Sequence, residues 1–177
     1  MIASGTFLDD SYFTRTAISV GTSYGQLIAY NGMIAYGLQV YETAGRNSHF
    51  YPGTSSVRLY SSNILPRKEP WSPNSYVNVG RGNFETNWSV NIPVRGKAMV
   101  LTNETLFVCG QPDIFDPKDP FAAIDGKLGS VLIAVSTVNG DILAEHNIES
   151  IPVFDSLIAA NSSLYMTTED GKVHCCK

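Results

Sequence analysis

Lys97-Ala98-Met99-Val100-Leu101-Thr102-Asn103-Glu104-Thr105-Leu106-Phe107-Val108 and Asp155-Ser156-Leu157-Ile158-Ala159-Ala160-Asn161-Ser162-Ser163-Leu164-Tyr165-Met166 are one pattern written twice, 58 residues apart. Apolar positions fall on apolar positions, and the turn Asn103-Glu104 falls on Asn161-Ser162. Both copies predict a hairpin of two short strands. Asp125-Gly126-Lys127-Leu128 and Asp170-Gly171-Lys172-Val173 match again at an offset of 45, so the first copy carries 13 more residues between its halves. A repeat of this length, built of strands that cannot bury their faces alone, signals units that stack on one another. Leu106 with Leu164, and Phe107 with Tyr165, are expected at equivalent places in successive units.

Outward from the repeat, the chain reads as strands throughout. Thr6 to Leu8 and Ser11 to Ile18 are rich in aromatic and β-branched residues around an Asp9-Asp10 corner. Gly25 to Tyr30 ends at Asn31-Gly32, a strong hairpin signal, and Met33 to Tyr41 returns from it. Val57-Arg58-Leu59-Tyr60 alternates like an edge strand. Ser130 to Thr137 is a buried-looking run that Asn139-Gly140 turns into Asp141 to His146. Helical periodicity is absent apart from one turn at most at Pro120 to Ile124. Leu65 to Thr86 is unusually long for a compact domain and reads first as an elaborated blade connection, with a functional surface as the alternative; on an interaction module, it and Gln111 to Leu128 are the loops expected to bind a partner.

With 177 residues the chain is long enough for one core and short for two domains. A net charge of -4 and the lack of any Lys/Arg run exclude a nucleic-acid footprint. No stretch approaches the roughly 20 apolar residues of a transmembrane helix, and Met1 to Leu8 lacks the basic start and apolar run of an export signal. Cys109, Cys175 and Cys176 have no C-x-x-C spacing and read as two buried small hydrophobes and one exposed thiol.

The expected fold is all-β: a partial β-propeller of about three to four antiparallel four-stranded blades in one domain, 1–177, with approximate blades 1–31, 33–63, 85–140 and 141–177. Ala134-Val135-Ser136-Thr137-Val138-Asn139-Gly140-Asp141-Ile142-Leu143-Ala144 and Leu164 to Val173 resemble the blade junction of PQQ-like, quinoprotein-type bacterial β-propeller repeat proteins. Phe7 to Thr16, Val94 to Val100 and Leu106 to Asp113 resemble the C-terminal blades of such proteins. Where the tryptophan-docking repeat of the quinone-dependent dehydrogenases has Asp, Thr, Lys and Trp, this chain has Ser136, Asn139, Asp141 and Ala144, and Trp88 stands as the candidate for that role in the preceding blade. The resemblance implies the fold and a periplasmic or exported setting, and it does not carry over the quinone cofactor.

No nucleophile, base and orienter occur at readable spacing, and no catalytic constellation is expected. Asp113, Asp116, Asp119 and Asp125 are candidates for a Ca²⁺ site, although Pro112, Pro117 and Pro120 more simply mark a rigid surface excursion. Asp9 and Asp10 with His49 could form a general-acid pair plus base, but nothing fixes their distance, and paired acids at a strand corner read more simply as a solvated turn. Arg15 and Arg95 lie in or beside apolar strands and are candidates to face a central channel, or to form salt bridges between blades. Too few blades to close a ring imply further blades of the same protein or a protein partner. The expected function is a non-enzymatic interaction or scaffold module, the alternative a fragment or remnant of a quinone-dependent dehydrogenase.

Overall fold

The computed structural model describes residues 2–4, 17–20, 23–40, 57–65 and 85–177. No helix forms among them, and their fourteen strands make four antiparallel sheets. Sheet A holds β1 (Ile2–Ser4), β2 (Ala17–Val20) and β3 (Ser23–Gly25). Sheet B holds β4 (Leu27–Asn31), β5 (Ile34–Val40), β6 (Val57–Asn63) and β7 (Thr86–Asn91). Sheet C holds β8 (Val94–Leu101), β9 (Thr105–Pro112), β10 (Ser130–Ser136) and β11 (Ile142–Ile148). Sheet D holds β12 (Pro152–Ala160), β13 (Ser163–Thr168) and β14 (Val173–Cys176). In every sheet the strands follow one another in chain order.

The repeat is reproduced in the ladders. Leu101↔Leu106, Val100↔Phe107 and Met99↔Val108 pair across β8 and β9. Ala159↔Leu164, Ile158↔Tyr165 and Leu157↔Met166 pair across β12 and β13 at the same 58-residue offset. Both first strands also break register at the equivalent place, between Gly96 and Ala98 in β8 and between Pro152 and Leu157 in β12.

Alternation of side chains assigns each sheet two faces, and the faces stack. Leu38, Leu59 and Val57 of sheet B meet Met99, Leu106, Val108, Ile133 and Val135 of sheet C in one core. The other face of sheet C, with Ala98, Cys109 and Leu132, meets Leu157 and Met166 of sheet D, and Val100, Phe107 and Leu164 pack at its margin. Sheet B is covered on its far side as well: Ala35, Tyr60 and Ser62 are buried there, and the Ser62 and Ser23 hydroxyls bond at 2.7 Å. The first strands β4, β8 and β12 run next to one another, β8 between the other two. No sheet closes on itself among the described residues.

Two expectations change. Val57–Asn63 is not an edge strand: β6 pairs with β5 and β7, and Tyr60 fits there because it lies opposite Gly37, where any Cβ would stand 2.4 Å from the ring. The sheets also span 27–91, 94–148 and 152–176, so Asn31-Gly32 and Asp141 fall inside sheets rather than at unit boundaries. The reason is that both turns join strands of one sheet. Asn31 pairs with Ile34 about Gly32-Met33, and Val135 pairs with Ile142 around the Thr137–Gly140 turn.

Candidate functional site

The long connection Gln111 to Leu128 leaves the end of β9 and is tied down at several points. The Asp113 amide donates to the Pro93 carbonyl at 2.8 Å, and Gln111 Nε2 donates to the Ile124 carbonyl at 2.9 Å. Arg95 Nε donates to Asp113 Oδ1 at 2.9 Å, and that carboxylate is only 2% exposed. Ala122 and Ala123 are buried, while the amides of Asp125 and Lys127 close turns onto Phe121 and Ala122. Gly126, at φ +76°, sits where a Cβ would come within 2.3 Å of Ile151 Cδ1. On this anchored excursion Ile114, Phe115, Phe121 and Leu128 face solvent, the two phenylalanines at 52% and 50% exposure. Exposed apolar side chains gathered on one anchored segment are a feature that protein-binding surfaces share.

The aspartates of this segment do not converge. Asp113 is engaged by Arg95, and Asp116 Oδ1 accepts the Lys118 amide at 2.8 Å. Asp119 and Asp125 lie 2.6 and 3.6 Å from Lys127 Nζ, so a lysine ammonium occupies the place between them. The Asp119 hydrogen bond raises the Lys127 pKa above its ordinary value. Among the described residues no group of three or more His, Cys, Asp or Glu could hold a metal ion. Arg95 bonds to Asp113 of its own sheet's insertion, which it helps to anchor. Arg15, Asp9, Asp10, His49 and residues 66–84 lie outside the described residues.

At the opposite ends of β8 and β12 the hairpin tips form two open grooves. One, of ≈ 650 Å³, runs between sheets C and D and is lined by Leu101, Asn103, Phe107, Asn161, Cys176 and Lys177 among others. The second, of ≈ 530 Å³, lies between the tips of sheets B and C, from Ile28–Asn31 to Met99–Asn103. Their polar groups are mostly amides and hydroxyls, and among the described residues Lys177 is the sole cation lining either groove.

One compact polar cluster joins a histidine to a carboxylate. Thr168 Oγ1 donates to Asp170 Oδ1 at 2.5 Å and lies 3.1 Å from His174 Nε2. With the single hydroxyl proton directed at the carboxylate, His174 Nε2 is the donor to Thr168. Lys172, with the Thr168 and Ser150 hydroxyls, holds the Asp170 carboxyl well below the usual carboxylate range. Thr168 is buried and the cluster spans one turn, so the hydroxyl that would have to attack a substrate is closed off and the arrangement acts as a hairpin clasp.

Cys109 alone of the three cysteines is buried; Cys176 is half-buried and Cys175 exposed. Burial pushes the Cys109 thiol up to about 11. The Trp88 indole N–H donates to the Thr137 carbonyl of the next sheet at 2.9 Å, a contact that no local feature of the sequence announces. Among the described residues no helix is long and apolar enough to cross a membrane. No protein-family model matches the chain, and no curated protein matches it.

Proposed function

We propose that this chain is a non-enzymatic interaction scaffold of the β-propeller type, in which the stacked sheets hold the insertion Gln111 to Leu128 as the docking element for a protein partner. The observation that carries this reading is the pairing of a firmly anchored base, Arg95 with Asp113, with four outward apolar side chains on one excursion. The propeller assignment is supported by the side-by-side first strands, by the equal registers of the two hairpins, and by Trp88 crossing from the last strand of one sheet to a turn of the next. The partner is a protein with an apolar pocket able to take Phe115 and Phe121.

The quinone-dependent alternative draws on the ≈ 650 Å³ groove, whose size suits a cofactor. Pyrroloquinoline quinone is a tricarboxylate, however, and a groove whose described lining offers Lys177 as its one cation is a poor match for three carboxylates. The two readings separate in one pair of measurements. A photo-crosslinking amino acid at Phe115 or Phe121 is expected to trap a discrete protein adduct in cells of the source organism, whereas the same group at exposed Val138 gives none. Absorbance titration with the quinone is expected to show no saturable binding. Saturable micromolar quinone binding without a specific adduct favours the dehydrogenase remnant.

A further inference from the structure

We propose that the hairpin tips of sheets B, C and D form one trough that binds a neutral, linear oligosaccharide. The groove between sheets B and C, of ≈ 530 Å³, and that between sheets C and D, of ≈ 650 Å³, share Leu101, Thr102 and Asn103. The tip of β8 and β9 lines both, so the two grooves meet over it, and each has the volume of a small-molecule site. The trough lies at the other end of β8 from the insertion and does not depend on the docking role proposed for that segment.

Asn31, Asn103 and Asn161 stand exposed at the tips of three successive hairpins, and all three line the trough. An asparagine at a turn ordinarily spends its carboxamide on the turn itself. Asn139 does so here: its Oδ1 accepts the Asp141 amide at 3.2 Å and its Nδ2 donates to the Asp141 carboxylate. The carboxamides of Asn31, Asn103 and Asn161 make no such bond among the described residues. The tip of sheet C is closed instead by Thr102, whose amide and hydroxyl both donate to the Thr105 carbonyl at 2.9 Å. Three carboxamides are thus left over from turn formation and presented along one surface.

Each carboxamide holds an acceptor and two donors side by side, the complement of neighbouring sugar hydroxyls, which both accept and donate. Tyr30, 54% exposed, adds an aromatic face for the C–H side of a pyranose ring. Among the described lining residues there is no carboxylate, and Lys177 is the one cation. That lining offers a charged ligand no matching set of counter-charges, whereas a neutral polyol needs none. Adjoining grooves with a carboxamide at each step suit a ligand that repeats, and a linear oligosaccharide presents the same hydroxyls again along its length.

Isothermal titration calorimetry of the full chain with cello-, malto- and chito-oligosaccharides, as disaccharides and hexasaccharides, tests this, with a hexagalacturonate as the charged counterpart. At least one neutral hexasaccharide is expected to bind saturably, and its disaccharide more than about tenfold more weakly, because the longer chain spans both grooves. Asn103→Ala, at the shared tip, should weaken the hexasaccharide by about fivefold or more, the worth of one or two hydrogen bonds. Tyr30→Ala, an independent variant on β4, should weaken it by a similar factor through loss of the aromatic face. Val138→Lys, exposed on the β10–β11 turn, should bind as the wild type does. Circular dichroism of each variant confirms that the fold is retained. Any one of four results overturns the proposal: no binding of any neutral hexasaccharide, equal affinity for disaccharide and hexasaccharide, binding indifferent to both Asn103→Ala and Tyr30→Ala, or tighter binding of the hexagalacturonate.

Discussion

Trp88 of β7 donates its indole N–H to the carbonyl of Thr137, 2.9 Å away on the turn that joins β10 to β11. The ring also lies over Gly140, where an added Cβ would stand 2.7 Å from Trp88 Cε3. One side chain thus fastens the last strand of sheet B to the far corner of sheet C. Trp88→Phe removes the hydrogen bond and should cost about 1 kcal/mol. Trp88→Ala also leaves a void, and for this half-buried ring the loss should approach about 3 kcal/mol. Gly140 has φ +81°, so Gly140→Ala combines left-handed strain of about 1–2 kcal/mol with displacement of the indole. Urea denaturation of the three variants is expected to rank them in that sense, with Trp88→Phe the mildest.

The hairpin between β12 and β13 turns through Asn161 and Ser162, with φ of 50° and 58°. Two positive φ values at the centre of a two-residue loop are the signature of a type I′ turn, in which glycine is the favoured second residue. Ser162→Gly should therefore raise stability by roughly 0.5–1 kcal/mol, since relief of the left-handed strain exceeds the extra entropy glycine loses on folding. The midpoint of urea unfolding should move up with an unchanged slope.

The hairpins could be read from sequence because the same apolar spacing occurs twice, and a 58-residue register leaves one consistent pairing for Leu106 and Leu164. The partition into sheets could not. Asn31-Gly32 and Asn139-Gly140 are turn signals, and a turn within a sheet has the same local chemistry as one between sheets. The interior position of β6 depends on Gly37 leaving room for Tyr60, a fit between residues 23 positions apart. The prolines of the insertion signalled rigidity, but its anchor pairs Arg95 with Asp113 across 18 residues of chain. Nothing local to either residue announces that bond.

That anchor makes a further prediction. The Asp113 side chain is almost fully buried and that of Arg95 is 14% exposed, and removing one partner of such an ion pair takes away a compensating charge. Arg95→Met should cost about 3–5 kcal/mol, whereas Arg95→Met with Asp113→Leu should recover part of the loss. Thermal unfolding of the single and double variants measures the difference. Equal stabilities for Arg95→Met and the wild type would remove Arg95 as the insertion's anchor.

Thiol chemistry reports on the interface between sheets C and D. Cys109 is buried there, with its pKa raised to about 11 by burial, so at pH 8 it has little thiolate and no access. A native chain should show two rapidly reacting thiols, Cys175 and the slower Cys176, and a third only in denaturant. Three fast thiols would place Cys109 at an open surface.

Among the described residues the sheets stack as layers, with sheet C covered on both faces and sheet D on one. Hydrogen–deuterium exchange followed by mass spectrometry, on dilute protein, reads this layering strand by strand. The amides of β9 and β10 are expected to exchange slowest of the strands from β8 onward, and those of β14 fastest. Protection of β14 equal to that of β9, or exchange in β9 and β10 as fast as in residues 114–127, would contradict the stacked arrangement.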